Sequence, residues 1–186
     1  SITSLKVTGT IDARDFKFIA DNLLALSEID LSEVTIAAYC NEETATFGAD
    51  NNFAAASIPC TSFFGKPITS VVLPASVKSI GFAAFAGCDQ LTTIAFPASL
   101  DSISGYAFSG SGLTSVELPA SVKTVGEGAF ARCENLASAT VGSENIGKDA
   151  FYADATLAAL TLNKEVKTIG DGAFKSCSAL TGINIE

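Results

Sequence analysis

The chain has 186 residues, 48% of them apolar, with 20 acidic residues against 11 basic ones and a formal charge of -9. That length supports one elongated domain with a continuous core, and that charge repels phosphate backbones and anionic headgroups, which excludes nucleic acid and the membrane surface as expected partners. Histidine, the commonest general base and metal ligand, is absent.

No stretch approaches the roughly 18 consecutive apolar residues of a spanning helix, and the first residues lack the basic and apolar pattern of a leader, so neither is expected within this sequence. Because the chain contains no Met, it is expected to start after a removed segment or at an artificial boundary, and the first of these is the pattern of a secreted precursor.

From the N-terminus, Ile2/Leu5/Val7 and Leu26/Ile29/Leu31 carry one spacing, L-x-x-I-x-L, whose last three residues alternate inward and outward as a strand with one buried face requires. Between them lies an amphipathic run with Asp12 as N-cap and Phe16, Ile19, Leu23 and Leu24 as its buried stripe. Residues 1–31 therefore read as a strand–helix–strand cap, closing a core that no preceding coil covers. Residues 32–186 read as the body of the same continuous domain, interrupted by a polar loop insertion near residues 40–52. Ile58 and Phe63 then keep the five-residue gap that separates Ile80 from Phe85.

From there one unit recurs. It is clearest in LPASVKSIGFAAFAGCDQL (Leu73 to Leu91), LPASVKTVGEGAFARCENL (Leu118 to Leu136) and LNKEVKTIGDGAFKSCSAL (Leu162 to Leu180). Phe85, Phe108, Phe130, Phe151 and Phe174 follow at steps of 23, 22, 21 and 23 residues, and such a period is the mark of a solenoid. Each unit has a main strand (Ile68/Val71/Leu73, Leu91/Ile94/Phe96, Leu113/Val116/Leu118 and onward) and a second short strand (Val77/Ile80, Leu100/Ile103, Val122/Val125, Val166/Ile169). Pro74, Pro97 and Pro119 end the first strand, and Gly81, Gly126 and Gly170 are expected at sharp turns. A short helical turn should then drop each phenylalanine into the core. The chain ends directly after a strand, an open edge that further protein or a partner would cover.

Cys88, Cys133 and Cys177 share one position of the unit in alternate coils. Coils about 4.8 Å apart place them about 10 Å from one another, beyond disulfide reach, so free buried thiols are expected. Cys40 and Cys60 lie outside that ladder and are candidates to pair. C-x-x-C is absent, and no metal or cofactor is expected.

The unit resembles the BspA-like leucine-rich repeat family, whose motif reads approximately L-P-x-S-V-x-x-I-G-x-x-A-F-x-x-C-x-x-L, over about residues 54 to 186. The segment VTGTIDARDFKFIADNLLALSEIDLS is similar to the cap of such proteins from gut and oral Bacteroidetes. Ser111 and Asp154 depart from the motif where cysteine is expected, Gly142 stands near the proline position, and the Leu136 coil is two residues short. The resemblance implies a right-handed α/β solenoid with an N-terminal helical cap. It also implies secretion or lipid-anchored display at the cell surface, and adhesion to an extracellular protein.

Three surfaces are candidates for function. The outward strand positions form a face of short, weakly polar side chains, on which Thr93, Ser115, Glu117, Ser138, Thr140 and Thr161 are the expected contacts; short residues that merely fit a crowded sheet would look the same. The 40–52 insertion is the rival site. Lys78, Lys123 and Lys167 form either a docking stripe or, the stronger reading, edge decoration that deters aggregation. Asp89 and Glu134, about 10 Å apart by coil spacing, approach the separation of inverting glycosidases. No tryptophan is present to stack a sugar, and the expectation is a non-catalytic binding module. The alternatives are a structural or assembly module of a surface layer and, behind it, a glycan-binding accessory protein.

Overall fold

The structure is a computed structural model that describes residues 1–40 and 52–186. The 40–52 insertion thus lies almost wholly outside the described residues. Its ends are held by β3 (Tyr39–Cys40) and β4 (Asn52–Phe53), which pair antiparallel.

The cap forms for the reasons its residues announce. Asp12 ends the extended β1 (Ser4–Ile11) and starts α1 (Ala13–Asn22), its carboxylate accepting from the Arg14 N–H while Asp15 accepts from the Asp12 N–H, both at 2.9 Å. The Arg14 guanidinium, 2.6 Å away, holds the Asp12 carboxyl below its ordinary pKa. Phe16 and Ile19 are buried and Leu23 is half-buried. Leu24, expected on the same stripe, is 73% exposed. The helix ends at Asn22, so the 100° advance that would carry Leu24 inward no longer applies. β2 (Glu28–Ile36) pairs parallel with β1, and both strands run past the expected motif to Ile11 and Ile36, which join Val34 in the core.

Beyond the cap each coil has three sides. On the main side, β1 and β2 continue into β6 (Ser70–Val72), and β9 (Ser115–Glu117), β11 (Ser138–Val141), β13 (Ala159–Leu162) and β15 (Ile183–Ile185) form a second parallel sheet. On the next side, β5 (Ser57–Ile58), β7 (Ser79–Ile80), β8 (Ser102–Ile103), β10 (Thr124–Val125), β12 (Asn145–Ile146) and β14 (Thr168–Ile169) pair in chain order. The main face is expected to be continuous, yet it is interrupted at Leu91–Phe96, which forms no strand. Phe96 stands where other coils have Leu73 or Leu118, and its ring packs edge-on against Phe108 at 5.6 Å. The larger side chain holds the segment outward, so Ile94 and Phe96 are half-buried where Val116 and Leu118 are buried.

The third side is not the expected helical turn. Residues with positive φ recur in pairs four apart, as at Ala83 and Gly87, Tyr106 and Gly110, and Asp149 and Ala153, and a helix cannot continue through them. Their effect is to divide the backbone donors. The N–H groups of Ala84, Ala86 and Cys88 close turns onto Gly81, Ala83 and Phe85, while those of Ala83, Phe85 and Gly87 cross to the Gly105, Ala107 and Ser109 carbonyls of the next coil. A helix would turn its N–H groups back into its own coil and leave no such bonds to the next coil on this side. Inside this ladder the rings of Phe63, Phe85, Phe108, Phe130, Phe151 and Phe174 stack at 5.1 to 5.6 Å, and Phe16 of α1 meets the first of them edge-on at 6.2 Å.

Gly81 and Gly126 are glycine for a different reason from the sharp turn expected of them. Neither has positive φ. A Cβ on Gly126 would lie 2.5 Å from the Gly105 backbone nitrogen, and one on Gly81 2.7 Å from the Cys60 nitrogen, so close approach of successive coils excludes any side chain.

Candidate binding face

On the main side, the inward row Val116, Ala139, Leu160 and Ile183 is flanked by two outward rows fixed by the parallel register. One row is Ser115, Ser138 and Ala159, and the other is Glu117, Thr140, Thr161 and Asn184. Ser115, Glu117 and Thr140 are exposed; Ser138 and Thr161 are half-buried. Thr140 and Thr161 share a shallow cleft of about 170 Å³ with Leu118, Gly142, Asn163 and Glu186. Thr93 is exposed but lies on the unpaired Leu91–Phe96 segment, so it stands in the gap between the two sheets and not in a row with the others.

The face also extends onto the cap strands β1 and β2, where no contacts were expected. Ser4, Glu28 and Ser70 align in one row and Lys6, Asp30 and Val72 in the next. The L-x-x-I-x-L spacing at Leu5 and Ile29 carries this information, because it makes 4/6 and 28/30 the outward pairs. Lys6 donates to Glu33 at 2.6 Å and lies 3.6 Å from Asp30, and the bond to Glu33 raises the Lys6 pKa.

The lysine ladder is not a bare cationic stripe. Asp101 and Glu144 occupy the same edge in the intervening coils, Lys123 lying 2.8 Å from Asp101 and Lys167 2.6 Å from Glu144. Such exposed pairs contribute little to stability, but they cancel the charge that a docking stripe for an acidic partner would need. Asp89 and Glu134 are both exposed and rim one open cavity of about 300 Å³ together with Arg132 and Asn135. Among the described residues no three His, Cys, Asp or Glu side chains are grouped to hold a metal.

Cys88, Cys133 and Cys177 are free and buried, as coil spacing requires. Burial pushes their thiols up to about 12, 12 and 11, which leaves them protonated and unreactive. Each donates from Sγ to the phenylalanine carbonyl of the preceding coil: Phe63 at 3.0 Å, Phe108 at 3.3 Å and Phe151 at 3.1 Å. Cys60 is also a free thiol; the Cys40 side chain, its considered partner, lies outside the described residues.

Short parallel strands stacked over a ladder of leucines and phenylalanines define a leucine-rich repeat solenoid. The sequence matches the BspA type leucine rich repeat region in six copies over residues 56–181, and the chain belongs to that family. Its fold is similar to that of a leucine-rich repeat protein from Bacteroides ovatus, at 22% identity and a TM-score of 0.73 over 99% of this chain. The chain spans only 45% of that protein's length. A T. pallidum leucine rich repeat protein is similar at 29% identity and a TM-score of 0.50, over 67% of this chain and 71% of its own. No curated protein matches the sequence.

Proposed function

We propose that this chain is an extracytoplasmic, non-catalytic binding module that holds an extracellular protein through the outer face of its main sheet. The observation that carries the reading is the outward row Glu117, Thr140 and Thr161, presented to solvent by strands whose opposite side chains are locked into the core. A partner meeting this surface does not have to order it first, which lowers the cost of binding. Family membership supports secretion or surface display, and the expected role is adhesion. The face has no Trp and none of its six named residues is Tyr or Arg, so its contacts lack the anchors that dominate tight interfaces. Affinity per copy should be modest, with many displayed copies supplying avidity.

The test is a Ser115→Arg/Thr140→Arg double variant, measured against a panel of purified extracellular-matrix and secreted proteins by surface-immobilised binding. A protein that binds the parent should lose at least about tenfold in affinity, with the melting temperature unchanged because neither residue is in the core. Equal binding by parent and variant sinks the reading. Concentration-dependent light scattering in place of any binding would favour an assembly role through β15, where Ile183 and Ile185 are 46% and 68% exposed. A positive glycan array would favour the sugar-binding alternative.

A further inference from the structure

Each coil aims one side chain inward three residues after its stacked phenylalanine: Lys66, Cys88, Ser111, Cys133, Asp154 and Cys177. Most of them reach back as hydrogen-bond donors. The three cysteines donate to phenylalanine carbonyls, and Lys66 donates to the Ala20 and Leu23 carbonyls at the end of α1. Asp154 is the exception, because a carboxylate has nothing to donate. It is completely buried, and its Oδ2 has no partner.

The surrounding backbone shows what is missing. At this point of four coils a turn closes from the N–H of the inward residue to the phenylalanine carbonyl: Lys66 to Phe63, Cys88 to Phe85, Ser111 to Phe108 and Cys177 to Phe174. In the fourth coil the Cys133 N–H donates instead to Asp154 Oδ1 at 2.8 Å. Among the described residues, no hydrogen bond then reaches the Phe130 carbonyl. The Asp154 carboxyl has inserted itself into the turn and taken its donor, leaving two orphaned buried oxygens, Asp154 Oδ2 and Phe130 O.

We infer that Asp154 is held in the neutral, protonated form and bridges this turn, Oδ1 accepting from the Cys133 N–H and Oδ2–H donating to the Phe130 carbonyl. Only the acid can do both; the carboxylate would set two lone-pair oxygens against each other in a dry core. No cation opposes this. The polar groups facing Asp154 are the Cys133 thiol from the preceding coil and the Cys177 thiol from the following one, both neutral. Burial pushes the Asp154 carboxyl up to about 7. The coils around it are therefore joined by a proton that neutral pH begins to remove.

The sign follows from linkage. The folded pKa lies above the ordinary carboxyl value, so the stabilisation is complete below about pH 4 and declines as pH rises, levelling off above about pH 7. From about 4 to about 7, the folding constant should fall by roughly a thousandfold on this account. Asp154→Asn mimics the neutral acid, since its amide accepts at one atom and donates at the other, and it cannot titrate.

The experiment is urea unfolding of parent and Asp154→Asn from pH 5 to pH 8, alongside a carbon NMR titration of the Asp154 carboxyl in the parent. The inference expects the parent midpoint to fall over this range, the variant to fall much less and be the more stable at pH 8, and the carboxyl to titrate near neutrality. Parallel pH profiles, or a carboxyl that titrates near 4, would overturn it. If Asp154→Asn does not fold, Asp154→Cys, which restores the thiol donor of the other coils, stands in its place under the same criteria, and the NMR titration needs no variant at all.

Discussion

Removing one ring from the middle of the phenylalanine stack tests the architecture most directly. Phe130 is fully buried and lies between Phe108, at 5.3 Å and 3° from parallel, and Phe151, at 5.2 Å and 13°. Phe130→Ala removes a whole buried side chain, which costs about 3 to 5 kcal/mol. Two ring pairs are lost with it, each worth about 0.5 to 1.5 kcal/mol beyond area burial, and rigid turn ladders on both sides prevent the gap from closing. The expected cost is about 5 kcal/mol, a large part of the stability of an ordinary domain. Phe174→Ala is the internal control. Phe174 has one ring neighbour, Phe151 at 5.6 Å, and is only half-buried, so its loss should cost about 2 kcal/mol. The assay is urea unfolding of the two variants and the parent at one pH. Equal costs for the two positions, or a cost below about 2 kcal/mol at Phe130, would refute a continuous stack in which each coil depends on its neighbours.

The close approach of coils gives a second expectation: Gly147→Ala places a methyl group 2.6 Å from the Gly126 carbonyl carbon, and because backbone has to yield, the variant should lose about 3 kcal/mol in the same unfolding assay. A third concerns the join between cap and solenoid. Lys66→Met leaves the Ala20 and Leu23 carbonyls without their buried donor, a loss of about 1 to 3 kcal/mol. Hydrogen exchange should show α1 losing protection while the coils beyond Phe85 keep theirs, and uniform loss across the chain would contradict it.

How far the sequence revealed these features depends on what each feature is made of. The phenylalanine and leucine ladders were legible because burial demands apolar side chains at a fixed period. The free cysteines were legible because coil spacing alone decides which sulfurs can meet. The turn ladder was not. Its defining property is a backbone conformation, positive φ at Ala83, Tyr106, Asp149 and Ala153, and none of these residues advertises it as glycine would. The glycines were noticed but assigned to turns, because a sequence shows the absence of a side chain and not the neighbouring backbone that forbids one. Thr93 was placed in a regular row since the spacing around Ile94 is regular; only the volume of Phe96, one side chain in six coils, breaks the pairing there.

The candidate face was legible as positions and much less as chemistry, and the structure explains why. Three constraints fix most residues of a coil: core ladders fix the inward positions, turn bonds fix the third side, and alternating charges occupy the edge at Lys123, Asp101, Lys167 and Glu144. Among the described residues, the outward main-strand positions are ones that none of these constraints reaches. There the coils differ freely, with Val72, Glu117, Thr140, Thr161 and Asn184 at equivalent places. A surface on which the side chain can change without disturbing the fold is one that can be matched to a partner. Arginine at Ser115 and Thr140 is therefore the discriminating test of the proposed face: it adds bulk and charge at exposed positions outside the core, so a change in binding with unchanged stability would belong to recognition and not to folding.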